Sequence, residues 1–268
     1  MSGDTLTGRV LCWRIERRDG VTIGLTGHDR DLWIEGLCYR AAPGLTPSAI
    51  LRGDGLDPDL MDASGALTSV AIDERDLLAG RWDGASVAAI AVDWTGEEAA
   101  VPLGQGRIGS VQLGEGGFTA ELRGVGALFD RPVAEETSPD CRATLGDRRC
   151  RVAMAGRRRF ARVTAWDGAV MLTLDRTEPV ANAYGQGRLI WFGGENGGLE
   201  SAIVRSDGAA LRLSAPPAFA VAGHPLIELV EGCDKRLETC LSRFDNVVNF
   251  RGEPFLPGID LLTRYPGT

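Results

Sequence analysis

The stretch "GRVLCWRIERRDG" (Gly8 to Gly20) alternates apolar and polar side chains and then stops at Asp19-Gly20. A period of two sends one face of an extended segment into a core and the other into water. An Asp-Gly pair supplies the φ > 0 positions that a tight hairpin needs. The same pattern recurs outward along the chain. "ALRLSAP" (Ala210 to Pro216) alternates again, and Asp83-Gly84, Asp167-Gly168 and Asp207-Gly208 repeat the turn. With 36 glycines in 268 residues, many links should be hairpins. Helices are few. "IDERDLLAG" (Ile72 to Gly80) offers Asp73 as an N-cap, acids in its first turn and Gly80 as a stop. "DKRLETCLSRF" (Asp234 to Phe244) offers Asp234 as a cap and sets Leu237, Leu241 and Phe244 on one stripe. The expected class is mainly β (α+β).

A chain of 268 residues suits about two domains. Residues 1–130 carry 11 basic and 20 acidic side chains, a net of −9, while residues 131–268 carry 18 and 17, a net of +1. We therefore expect a β-rich domain over 1–130 and a hairpin-rich domain over 131–268, divided near Asp130-Arg131-Pro132. An overall charge of −8 lacks the positive field for broad nucleic-acid binding. The basic run "GRRRF" (Gly156 to Phe160) reads as a solvated turn or a subunit contact. No run of about 18 apolar residues occurs, so no helix should span a bilayer. "MSGDTLTGRV" lacks the layout of a secretory signal, which points to a reducing cytoplasm, where stable disulfides are uncommon.

Several catalytic readings fall away. "GQGRIG" (Gly104 to Gly109) matches a dinucleotide fingerprint, but that motif works only between a strand and a helix. Here "SVQLGEGGFTAEL" follows, a strand, a Gly-rich turn and another strand, so a Gly-rich β-turn is expected at Gly104 to Gly109. "GQGRLIWF" (Gly185 to Phe192) repeats the pattern before another strand. The two histidines, His28 and His224, sit in turn-like contexts, and no GxSxG nucleophile motif is present. No acid–base dyad is evident.

Four of the six cysteines form two pairs, Cys141 with Cys150 and Cys233 with Cys240. All four have polar neighbours ("PDCRA", "RRCRV", "EGCDK", "ETCLS"), whereas Cys12 and Cys38 sit in strand-like apolar contexts. Four separate thiols, two disulfides and a metal site are the readings. A four-cysteine zinc site usually draws on pairs two to four residues apart, tighter than either pair here. A [4Fe–4S] cluster spreads its thiolates over four iron corners and tolerates wider spacing. Arg142, Arg148, Arg149, Arg151, Lys235 and Arg236 flank the cysteines and would offset an anionic cluster. Spacing and charge leave iron–sulfur and zinc both open.

"CRATLGDRRC" together with "GCDKRLETCLSRFDNVVNFRGEPFLPG" (Gly232 to Gly258) resembles the C-terminal region of baseplate hub, or tail tip, proteins. These belong to long-tailed phages and gene transfer agents, and the lambda-type tail tip proteins have a similar four-cysteine domain. The resemblance extends to "GRVLCWRIERRDGVTIGLTGHDRDL" and "IDERDLLAGRWDGA". One departure is His224 in "AGHPLIEL", where a Gly-Asp turn is expected. The resemblance implies a β-rich hub domain and then a domain holding a [4Fe–4S] cluster on Cys141, Cys150, Cys233 and Cys240, with Cys12 and Cys38 excluded. It implies a non-enzymatic homotrimer in the tail baseplate of the virion or particle, assembled in the bacterial cytoplasm. That ring joins the sixfold tail tube and distal tail protein to a threefold central tip or fibre protein. A tape measure protein and a tail-associated cell-wall peptidase are further partners it suggests, with DNA present only in transit. The alternatives are an intracellular iron–sulfur redox protein and, more remotely, a zinc-stabilised hydrolase or binding module.

Overall fold

The computed structural model of the chain describes residues 8–41, 46–47, 60–66, 72–95, 99–114, 117–123 and 135–255. Two compact units emerge, Met1–Pro132 and Val133–Thr268. The boundary expected near Asp130-Arg131-Pro132 lies outside the described residues.

The first unit is a sheet in the order β3-β4-β2-β1-β7-β8-β9-β6-β5. Its strands are β1 (Arg9–Glu16), β2 (Thr22–Thr26), β3 (Leu32–Ile34), β4 (Leu37–Ala41), β5 (Thr46–Pro47), β6 (Leu60–Ala66), β7 (Ser86–Asp93), β8 (Val101–Gly114) and β9 (Gly117–Arg123). The opening stretch behaves as its alternation requires. Trp13 and Ile15 enter the main core with Leu25, Leu77, Trp82 and Val87. Cys12 points to the other face, against Tyr39 and Val92. Asp19-Gly20 closes the β1–β2 hairpin, with Gly20 at φ 86. Helix α1 (Glu74–Leu78) is capped by Asp73, whose side chain accepts from Arg75 N–H at 3.0 Å.

One detail of this unit departs from the sequence reading. "GQGRIG" is no turn, because Gly104 to Gly109 run inside β8, with Gly104 to Arg107 paired to β7 and Ile108 to β9. Beside it, β2 pairs with β4 in parallel while β3 pairs with β4 antiparallel.

The second unit is a closed barrel in the order β10-β11-β14-β13-β12-β15. These are β10 (Arg158–Trp166), β11 (Met171–Leu174), β12 (Arg188–Trp191), β13 (Glu200–Asp207), β14 (Ala210–Leu213) and β15 (Leu226–Val230). Closure comes from two strands that each serve two neighbours. β10 pairs with β15 through Arg158 to Arg162, shifts register between Val163 and Ala165, and continues along β11. β13 pairs with β12 through Glu200 to Ala202, shifts between Ile203 and Arg205, and continues along β14. Such irregularities bend a strand and turn a barrel's corner. Val163, Leu172, Leu189, Trp191, Ile203, Leu211, Leu213, Ile227 and Leu229 fill the interior, each at most 2 % exposed. Each such aliphatic side chain contributes roughly 1.5–3 kcal/mol of burial. Asp167-Gly168 and Asp207-Gly208 turn the β10–β11 and β13–β14 hairpins.

Candidate functional site

The two cysteine pairs enter from opposite ends of the second unit. β15 delivers Cys233 through a very close backbone passage. A Cβ on Gly232 would lie 2.1 Å from Gly185 O and 2.2 Å from Gly187 N, so only glycine fits there. Glu231, almost fully buried, fixes this exit by accepting from Arg157 Nη1 and Arg243 Nη2, both at 2.8 Å. Both guanidinium groups lie over the Phe244 ring, at 4.9 and 4.8 Å.

The helix expected over Asp234 to Phe244 is shorter than its pattern suggests. α2 spans Leu237–Ser242, and its N-cap is Arg236. Lys235 sits at φ 68, in the left-handed region, where a right-handed helix cannot pass. The Asp234 carboxylate still reaches Arg236 N–H at 3.1 Å and Thr239 Oγ1 at 2.8 Å. Cys233 therefore lies outside the helix, and the buried position of α2 is Cys240, while Leu241 is exposed. Cys233 and Cys240 share a cavity because of a left-handed bend and not because of helical periodicity.

Cys141 and Cys150 reach the same place on an irregular loop. Asp147 organises it by accepting from the N–H groups of Thr144 (2.8 Å), Arg149 (2.8 Å) and Cys150 (2.7 Å). Desolvation opposes its charge, but these donors keep the Asp147 carboxyl below its ordinary value. The loop is stitched to later residues by Cys141 N–H on Lys235 O (2.9 Å) and Arg142 N–H on Arg251 O (3.0 Å). A clasp closes it. Arg142 Nη1 and Nη2 donate to the two Glu253 oxygens at 2.6 and 2.7 Å, and Ser138 N–H reaches Glu253 at 3.0 Å. The paired Arg142 guanidinium, helped by Ser138 N–H, holds the Glu253 carboxyl down at about 2.

The result is one small pocket whose walls include Cys141, Cys150, Cys233 and Cys240. Three of the sulfurs meet donors: Arg251 N–H at Cys141 Sγ (3.3 Å), Lys235 N–H at Cys233 Sγ (3.4 Å) and Asn246 Nδ2 at Cys150 Sγ (3.7 Å). Burial pushes the Cys233 and Cys240 thiols up, and the neighbouring sulfurs add to the rise at each. All six cysteines are free thiols in this structure. Among the described residues no group of three or more His, Cys, Asp or Glu is set to hold a metal ion. The four cysteines border a shared space. N–H donors aimed at sulfur favour the thiolate form, so the donor set suits a soft, multi-centred group.

The flanking cations divide. Lys235 and Arg236 line the cavity, whereas Arg142 and Arg149 are engaged by Glu135 and Arg142 also by Glu253. Cys12 and Cys38 belong to the sheet of the first unit. Cys12 Sγ donates to Thr26 Oγ1 at 3.3 Å, and Cys38 faces Asp31. His28 and His224 are turn residues: His28 pairs with Asp29 at 2.8 Å, and His224 sits at φ 54 after Gly223 at φ 73. Reading the cysteine pairs alone misses Asp147, Asn246, Asn249 and Glu253. The polar run "DNVVNFRGEPF" was the available signal for three of them.

Comparison with known proteins follows this geometry. Residues 3–153, more than half of the chain, match the family described as baseplate hub protein, N-terminal attachment domain. Residues 182–260, which hold Cys233 and Cys240, match the family described as phage conserved hypothetical protein BR0599. A solved chain from the virion of a native gene transfer agent particle is 36% identical, with a TM-score of 0.83 over 99% of this chain and 94% of that one. No curated protein matches. The chain thus belongs to the baseplate hub protein family.

Proposed function

We propose that the protein is a structural, non-enzymatic baseplate hub subunit in the tail of a phage or gene transfer agent. The observation that carries this reading is near full-length similarity, at 36% identity, to a chain of a gene transfer agent virion. In this role three copies form a ring around the DNA path. The ring joins the distal tail protein to the threefold central tip protein, and the tape measure protein and peptidase are neighbours. The net of −9 in residues 1–130 suits a domain bordering that path. Native mass measurement of the chain with its tail partners, from purified particles, should give three copies per tail. A monomer inside an assembled tail would overturn the ring.

The second part of the proposal is a [4Fe–4S] cluster held by Cys141, Cys150, Cys233 and Cys240. Four thiols around one cavity, with N–H groups aimed at three of them, support it. When bound, the group would cross-link the ends of the second unit and leave no open iron position, which favours structure over substrate activation. The protein's residues supply the thiolates, the donors that stabilise them and the clasp that closes the loop. Anaerobically prepared protein should be brown, with about four irons per chain. Colourless, folded protein with one zinc would overturn the iron assignment.

A further inference from the structure

We propose that Asn246 is the positioning residue that holds Cys150 and Cys240 in register for the cluster; this inference rests on the cluster reading above. Asn246 Nδ2 donates to Cys150 O at 2.6 Å and lies 3.7 Å from Cys150 Sγ. Its own N–H donates to Cys240 O at 3.0 Å. One residue therefore touches two cysteines that lie ninety positions apart, one from each pair. Asn249 orients it, because Asn249 Nδ2 donates to Asn246 Oδ1 at 2.7 Å and leaves the amide NH₂ end facing Cys150. Both asparagines line the cavity.

A second observation separates this from ordinary helix capping. Asn246 is the N-cap of the 3₁₀ turn Val247–Asn249, where an Asn side chain usually satisfies a backbone N–H. It makes no such bond. Its donor is committed to Cys150 and its acceptor to Asn249, so the local turn forgoes a cap in favour of a contact across the cavity.

The chemistry restricts the residue type. The side chain must donate on one side and accept on the other at a single reach. Asp offers no donor and would bring a negative charge to an anionic site. Ala offers neither group, and Ser is too short to do both. The backbone bond from position 246 to Cys240 survives all three substitutions, so they probe the amide alone. Partners that orient metal ligands are worth roughly 10–100-fold in metal affinity. Hydrogen bonds at the sulfurs also help set the potential of an iron–sulfur cluster.

The test compares full-length wild type, N246A and N246D, all reconstituted anaerobically. It measures iron content, release of iron to a ferrous chelator, midpoint potential and amide exchange of the barrel strands. We expect chelator-driven release to quicken roughly 10–100-fold in both variants. The N246D potential should move more negative, and barrel exchange should stay unchanged. Should N246A fail to fold, N249S decides the matter, since it removes only the group that orients the Asn246 amide; faster release is again expected. An iron-loaded wild type whose variants match it in release and potential overturns the role of Asn246 and leaves the cluster standing. Lower thermal stability with unchanged release and potential also overturns it, because that is a merely structural effect. A wild type that binds no iron overturns the cluster reading and this inference together.

Discussion

The barrel and the cysteine-bearing segments share one unit but are built on different terms. The barrel closes on its own hydrogen bonds, and nine apolar side chains at most 2 % exposed fill it. The segments 135–157 and 232–255 contribute few fully buried side chains, among them Ala143 and Cys240. Their order comes from Asp147, the Arg142–Glu253 clasp, left-handed Arg151, Lys235 and Asp245, and cross-cavity bonds. Burial alone can carry the barrel. The shell around the thiols buries little apolar surface to offset its own ordering entropy, and the proposed cluster would add a cross-link there.

The largest effect should come from the shared foundation. Leu229→Ala, at 1 % exposure, should cost about 2–5 kcal/mol and shift the denaturant midpoint of barrel and shell together. Separate transitions for the two regions would show that they are independent. Cys240→Ser should act on the shell alone. Exchange protection of Cys141 N–H and Arg142 N–H should vanish, and iron with it, while β10 to β15 remain protected. Loss of barrel protection as well would show that the barrel needs the cluster.

Gly232→Ala tests the joint between the regions. The added methyl meets backbone on both sides, an overpacking that costs about 1–3 kcal/mol, and Cys233 should shift before the barrel melts. An unchanged stability and iron content would show that the passage can widen.

The smallest effect belongs to the clasp. Glu253 is depressed in the folded state, so its contribution is complete above its unfolded value near 4.3. It is lost as pH falls through about 2. Glu253→Gln should remove the acid sensitivity of exchange at Arg142 N–H in that window and slightly weaken its protection at neutral pH, where the carboxylate's contribution is complete. Continued sensitivity in the variant would assign it to another carboxylate.

What the sequence disclosed followed the range of the interaction. The Asp19, Asp167 and Asp207 turns and the Asp73 cap are local, and their dipeptides or capping patterns suffice. The four cysteines stood out by number and polar context, but their sharing of one cavity depends on closure of a barrel through two mid-strand register shifts. α2 was overdrawn because Leu237, Leu241 and Phe244 match a helical stripe while Lys235 takes a left-handed conformation that no pattern of apolar residues encodes. "GQGRIG" reads as a turn because of its glycines, yet β7 and β9 supply pairing partners for Gly104 to Ile108. Asn246 lay within the quoted C-terminal motif, but its reach to Cys150 is a tertiary fact.

The placement of the cysteines also sets a timetable for biosynthesis. Some eighty residues, the whole barrel among them, separate Cys150 from Cys233. At about 5–20 residues per second, the ribosome needs roughly 4–16 s to make that interval. Throughout it the first two thiols already exist, with half of their cavity still to be synthesised. The nascent chain therefore presents a reactive dithiol before it can present a site. Whatever finally occupies the cavity must arrive after translation has passed Cys240, and until then only a reducing environment keeps that pair intact.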